Sequence, residues 1–142
     1  MVRLATVNDA EQLNILNIEF NGEGEAGIEN IRDSLRNNKQ EVVIVAEEDA
    51  ILVGFVCVQL KKSFCYDDYM PEITEVYVNP AYRKRGIAGE MIFFAENYCS
   101  KNYPVHKFEL LTGKENFVAQ SVYSRLGYID DREVHFSKRV KG

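Results

Sequence analysis

Three consecutive cations and a glycine, Arg83-Lys84-Arg85-Gly86, stand directly before a stretch with helical apolar spacing, Ile87, Met91, Ala95 and Cys99. Just ahead of them a strand-like run ends at Val78, and Pro80 closes it because its ring cannot donate to a ladder. A helix start leaves about four backbone N–H groups without intrahelical acceptors. Its macrodipole adds roughly half a positive charge at the same place. Gly86 has no Cβ, so a ligand can come close to the main chain there. Together these features describe an anion site, most naturally for a diphosphate. It is not a P-loop, because Thr112-Gly113-Lys114 lacks the glycine five residues before Gly113, and there is no GxGxxG turn. By residue type alone, a basic surface turn over a helix start fits about equally well.

Further candidates flank this turn. Glu75 interrupts the apolar strand Glu72 to Val78, on the side of Ile73 and Tyr77. Acids are rarely placed on such a strand without a partner or a purpose. A general base and an edge-strand gatekeeper charge both fit. Asn116 and Tyr123 are seven residues apart, about two helical turns, and share a helix side. Asn116 suits a helix N-cap, and Tyr123 suits either a proton donor or a core ring with its hydroxyl satisfied.

Taken together, Arg83-x-x-Gly86-x-Ala88, preceded by Val-x-Pro-x-Tyr-Arg, resembles the acetyl-CoA signature of the GNAT superfamily of N-acetyltransferases. Asn116-x-x-Ala119-x-x-x-Tyr123-x-x-x-Gly127-Tyr128 resembles that family's distal helix motif, and the two motifs lie 33 residues apart. The resemblance covers the whole chain, with Ala88 standing where many members have glycine.

It implies that backbone groups of Arg85, Gly86, Ile87, Ala88 and Gly89 hold the CoA pyrophosphate, with Arg83 and Lys84 near its phosphates. It also implies that the strand edge at Val76 and Val78 pairs with the pantetheine amides, and that Asn116 contacts the pantetheine arm. Tyr123 would protonate the departing thiolate, Glu75 would be the base, and a strand amide near Val76 would meet the oxyanion. A base is needed because an amine of pKa about 10.4 is almost wholly protonated at neutral pH. The donor is acetyl-CoA, without a metal. The acceptor is a small-molecule or peptide amine. The acidic residues Asp67, Asp68, Glu72 and Glu75, joined by Glu23 and Glu25, favour a small cationic amine of aminoglycoside or polyamine type.

The elements that must position these residues follow from periodicity. A short strand at residues 3–6 precedes a helix capped by Asn8 or Asp9, and a second helix runs from Gly27 to Asn37. Between them lies a glycine-rich acidic turn, either a solvated loop or a lid. Val42 to Ala46 and Ile51 to Leu60 read as a hairpin, and their continuous apolar character implies burial on both faces. The strand Glu72 to Val78 follows, then a helix Ile87 to Ser100, a strand Lys107 to Leu111 and a helix Asn116 to Leu126 ended by Gly127. Tyr128 to Ile129 and Val134 to Val140 alternate like strands. The expected fold is α/β, in mixed α+β arrangement, in one domain over residues 1–142. Its GNAT-like sheet is mostly antiparallel, of about seven strands, with helices on both faces.

Composition narrows the classes. With 17 basic against 22 acidic side chains, the net charge of −5 disfavours non-specific nucleic-acid binding. The longest apolar run, Ala50 to Val58, is far shorter than the ~20 residues of a membrane span. Cys57, Cys65 and Cys99 are odd in number and form no CxxC pair, which suits a reducing, cytoplasmic setting. Other readings are a CoA-binding module without catalysis and a cysteine nucleophile at Cys65 or Cys99 with His106 or His135. No local signature supports the latter. The resemblance leaves room for a homodimer.

Overall fold

The computed structural model describes residues 1–142, which divide into two compact units, Met1–Leu111 and Thr112–Gly142. The first unit holds a five-stranded sheet in the order β1 (Val2–Leu4), β2 (Glu41–Glu48), β3 (Ile51–Gln59), β4 (Glu72–Val78) and β5 (Glu109–Leu110). The first four strands pair antiparallel and β5 joins β4 in parallel. Helices α1 (Ala10–Asn21) and α2 (Ile28–Asn37) lie on one face, and α3 (Ile87–Asn102) lies on the other.

The continuous apolar runs explain this layering. Val45, Phe55 and Tyr77 form one cross-strand row that packs against Leu13 and Leu16 of α1. Ile44, Val56 and Val58 face the other way, towards Met91, Ile92 and Cys99, and all six are completely buried. Burying each larger side chain of this kind stabilises by about 1.5–3 kcal/mol. The β2–β3 hairpin closes through Asp49 and Ala50, both at positive φ (51° and 65°), as a two-residue turn of the mirror-image type demands.

Two irregularities shape β4. The register slips between Cys57 and Val58, so Thr74 is an extra residue on β4. Ile73 therefore shares a row with Val58 and faces α3, whereas Glu75 shares a row with Cys57 and faces α1 and α2. Simple alternation put Ile73 and Glu75 on one side; the bulge separates them and keeps Glu75 with Tyr77. In addition, β4 and β5 pair only at Glu72–Glu109 and Ile73–Leu110. Those two opposed carboxylates are reconciled by Lys61, whose Nζ lies 3.2 Å from Glu72 and 2.9 Å from Glu109.

The second unit contains α4 (Phe117–Arg125) and an irregular tail. The strands expected at Tyr128 to Ile129 and Val134 to Val140 do not form, so the sheet has five strands rather than about seven. Ile129, Val134 and Phe136 are exposed, and this unit holds no strand with which they could pair. The strand expected at Lys107 to Leu111 shortens to two residues. No helix is long and apolar enough to cross a membrane.

Candidate active site

The basic turn lies where β4 gives way to α3. Asn79 caps a short turn by accepting from the Ala81 amide at 2.9 Å, and Pro80 begins that turn. Gly86 then adopts φ +79°, and no atom lies within 4 Å of the position a Cβ would take. The first intrahelical bond runs from Glu90 N to Gly86 O (3.0 Å), so the amides of Ile87, Ala88 and Gly89 have no main-chain acceptor. Arg83, Lys84 and Arg85 are all exposed around this opening. Two of them are partly engaged. Arg85 stands 5.2 Å over the Tyr82 ring, and Arg83 Nε donates to Val78 O at 2.8 Å while its guanidinium lies 5.7 Å from the Tyr77 ring.

The ladder phase of β4 is fixed by the bond from Asn79 N to Val53 O (2.8 Å). By antiparallel alternation, Tyr77 and Glu75 bond to β3, whereas Val76 and Val78 turn their N–H and C=O groups to the opposite edge. That edge has no strand partner beyond Ile73. Val76 and Val78 thus offer main-chain groups to an extended ligand, with the Val78 carbonyl already accepting from Arg83.

On the α1/α2 face, Glu75 is half-buried. Burial pushes its carboxyl above the ordinary glutamate value, and the negative charge of Glu41 adds to the shift. Glu41 is itself raised by burial, against a stabilising hydrogen bond from Ser34. Between them lies Cys57, whose thiol is raised by burial and by both carboxylates. Cys99 is fully buried and pushed up to about 11, and Cys65 is exposed, as are His106 and His135. A thiolate nucleophile has little support in such surroundings.

Glu19, Tyr77 and Asn79 form a network that the sequence did not announce. Tyr77 Oη donates to Glu19 Oε1 at 2.8 Å, and Asn79 Nδ2 donates to the same oxygen at 3.0 Å. Phe20 lies against Tyr77 and Phe55, with ring centroids 5.1 and 6.0 Å away. The partial signal was Tyr77 itself, which alternates with Glu75 on β4. The acids expected at an acceptor entrance are unequal: Glu72 is tied to Lys61, whereas Glu23, Glu25 and Asp67 are exposed.

In the second unit, Asn116 caps α4 by accepting from Ala119 N at 3.2 Å. Tyr123 is half-buried, its phenol is raised by burial, and its ring meets Tyr128 edge-on at 6.4 Å. Gly127, at φ +97°, ends the helix.

The acetyltransferase (GNAT) family profile matches residues 10–128, spanning the strand-turn-helix, the open β4 edge and α4. The chain belongs to the acetyltransferase (GNAT) family. An uncharacterized N-acetyltransferase of Bacillus subtilis (strain 168), YhfO, is 27% identical over 111 residues, covering 72% of this chain and 69% of that protein. An aminoglycoside acetyltransferase, meta-AAC0020, from an uncultured soil metagenomic sample superposes with a TM-score of 0.88 at 17% identity, covering 99% of this chain and 96% of that one. AAC(6')-Iy, solved with the bisubstrate analog CoA-S-monomethyl-acetylneamine, gives 0.86 at 17% identity, covering 98% and 97%. At these identities the structures establish a shared fold. This GNAT chain meets the chemical needs of a CoA diphosphate at Gly86 to Gly89: unpaired amides, open space and nearby cations.

Proposed function

We propose that this protein transfers the acetyl group of acetyl-CoA to a primary amine on a small cationic acceptor. Direct attack takes place with both substrates bound. The carrying observation is Glu75, a half-buried carboxyl with a raised pKa on the same β4 segment whose outer edge is open at Val76 and Val78.

Acetyl-CoA supplies an activated acyl carbon whose leaving group is a thiolate. The amides of Ile87, Ala88 and Gly89 bind its diphosphate, with Lys84 and Arg85 contributing charge. The edge groups of Val76 and Val78 align the pantetheine arm as an added strand. Glu75 accepts the ammonium proton, directly or through water, and its raised pKa brings it closer to the operating pH. The amine nitrogen then bonds to the acyl carbon, and an amide near Val76 stabilises the oxyanion. Asn116 and Tyr123 are assigned to the pantetheine arm and to protonation of the thiolate, on the strength of the family motif they match. Cationic preference is supported by the exposed acids Glu23, Glu25 and Asp67 and by the aminoglycoside chemistry of two relatives sharing the fold.

The test is a panel of mono-, di- and polyamines, aminoglycosides and N-terminal peptides, following CoA release, with Glu75→Gln and Tyr123→Phe in parallel. Transfer to small cationic amines should dominate. Glu75→Gln should remove the acid limb of the pH–rate profile, and Tyr123→Phe should lower kcat. Absence of CoA binding by calorimetry would refute the donor assignment, and turnover restricted to peptides would refute the acceptor class.

A further inference from the structure

Glu19 occupies a position that elementary electrostatics disfavours. It lies in the last turn of α1, where the helix dipole presents its negative end. Several acids of the first unit are matched by cations: Asp9 and Glu47 by Arg3, Glu11 and Glu29 by Arg32, Glu48 by Arg85, Glu72 and Glu109 by Lys61. Glu19 has no such partner. Arg83 lies against the Tyr77 phenol, whose titration it lowers, and its Nε donates to Val78 O, but it makes no ion pair with Glu19, which is itself an exposed residue. The carboxylate is nevertheless held in place. Two donors converge on Oε1, one of them the buried Tyr77, and Oε2 is left uncommitted.

The surroundings suit an ammonium group. Phe20, the next residue on α1, is 39% exposed and its ring lies 5.1 Å from that of Tyr77, the phenol that donates to Glu19, so an aromatic surface belongs to the same network. A groove of about 140 Å³ opens against Glu19, lined also by Gln12, Ile15, Ile51, Asn79 and Tyr82. Glu23 and Glu25 follow in the adjoining exposed turn and deepen the negative potential. Tyr77 is two residues beyond Glu75 on the same face of β4, a separation of about 7 Å along the strand.

We propose that Glu19, fixed by Tyr77 and Asn79 and flanked by Phe20, is the specificity-determining anchor for a second ammonium group on the acceptor. The favoured acceptor is then a di- or polyamine, with one nitrogen deprotonated at Glu75 and another held at Glu19. 1,4-Diaminobutane and 1-aminobutane differ only in that second ammonium group, so the pair isolates its contribution. This inference rests on the amine-acetylation reading and assigns the part of the acceptor that does not react.

The experiment compares kcat/KM for 1,4-diaminobutane and 1-aminobutane in the wild type, Glu19→Gln and Phe20→Leu. Direct calorimetry of 1,4-diaminobutane on the CoA-saturated protein accompanies the kinetics. In the wild type the diamine should be preferred by at least tenfold. Glu19→Gln should reduce that preference about tenfold and Phe20→Leu about threefold, as a charge-assisted contact and a partly exposed cation–π contact suggest. Added salt should erode the wild-type preference and leave that of Glu19→Gln flat. A preference unchanged within twofold in Glu19→Gln overturns the assignment. Should that variant fail to fold, an unchanged preference in Phe20→Leu together with salt-independent wild-type selectivity overturns it equally. The two readings separate cleanly. A wild type that binds diamine through Glu19 but acetylates no amine refutes only the transferase reading. One that acetylates amines with no role for Glu19 refutes only the anchor.

Discussion

Replacing Gly54 by alanine tests how tightly β3 must approach β4 beneath the site. Gly54 stands opposite Val78 in a pair without ladder hydrogen bonds, where strands come closest. A Cβ added there would lie 2.6 Å from the Tyr77 carbonyl oxygen, 3.1 Å from Met91 Cε and 3.3 Å from Val78 Cα. The first distance is 0.8 Å short of the 3.4 Å at which ordinary contact begins. Met91 can move its terminal methyl, but a paired main-chain carbonyl cannot leave the ladder, so β4 itself must give way. Overpacking of this kind costs about 1–3 kcal/mol. Alanine recovers about 0.5–1 kcal/mol because glycine is entropically unfavourable inside a strand. The net loss should therefore be about 1–2 kcal/mol, a fall in Tm of about 3–8 °C for a chain of this size. Urea titration and thermal melts measure it. Repeating the substitution in a Met91→Ala background separates the two contacts, and the cost should persist with coupling under about 0.5 kcal/mol. The displaced carbonyl lies between Glu75 and Val78, so kcat/KM should fall as well. An unaltered melting point, or full rescue by Met91→Ala, would show that the carbonyl contact does not limit the strand spacing.

Three further outcomes are expected. Glu41→Gln removes a like charge that raises the Glu75 carboxyl, so the acid limb of kcat/KM should move to lower pH. It should stay above the ordinary glutamate range, because burial is the larger cause, and an unmoved limb would exclude Glu75 as the titrating base. Asp9 accepts two bonds from Arg3 and one from the Thr6 amide, and the Arg3 bond holds its carboxyl below the usual range. Asp9→Asn should therefore cost about 2 kcal/mol at neutral pH. That deficit should vanish as acidification protonates the wild-type residue, which urea midpoints in a descending pH series would reveal. Ala50→Gly relieves a left-handed alanine in the β2–β3 turn and should raise stability by about 0.5 kcal/mol after the added freedom of the unfolded chain is counted; a lowered melting point contradicts it.

Periodicity located the helices and the long strands within a few residues, because α3 and the β2–β3 hairpin each bury a face that their own sequence declares. Three things depended on partners that local sequence does not contain. The bulge at Thr74 is a property of how β4 registers with β3, and it moved Ile73 to the face opposite Glu75. Val134 and Phe136 keep a strand-like alternation, yet alternation yields a strand only beside another. The Glu19 network joins residues 58 and 60 positions apart, so α1 looked like an ordinary amphipathic helix. By contrast the turn from Arg83 to Gly89 was legible, since strand end, proline, cations, glycine and helix start are consecutive.

The free edge of β4 also bears on solubility. The stretch from Thr74 to Val78, with no strand on the side to which Val76 and Val78 turn their main-chain groups, would ordinarily invite another sheet to add itself and start a fibre. Here the stretch is kinked at one end by the extra residue Thr74 and stopped at the other by Pro80, while Arg83 covers the Val78 carbonyl. A second β-sheet needs a long straight run with every acceptor vacant. A slender chain a few atoms wide needs only two or three groups in line. The same irregularities that make β4 a poor template for aggregation leave it usable by a single extended ligand.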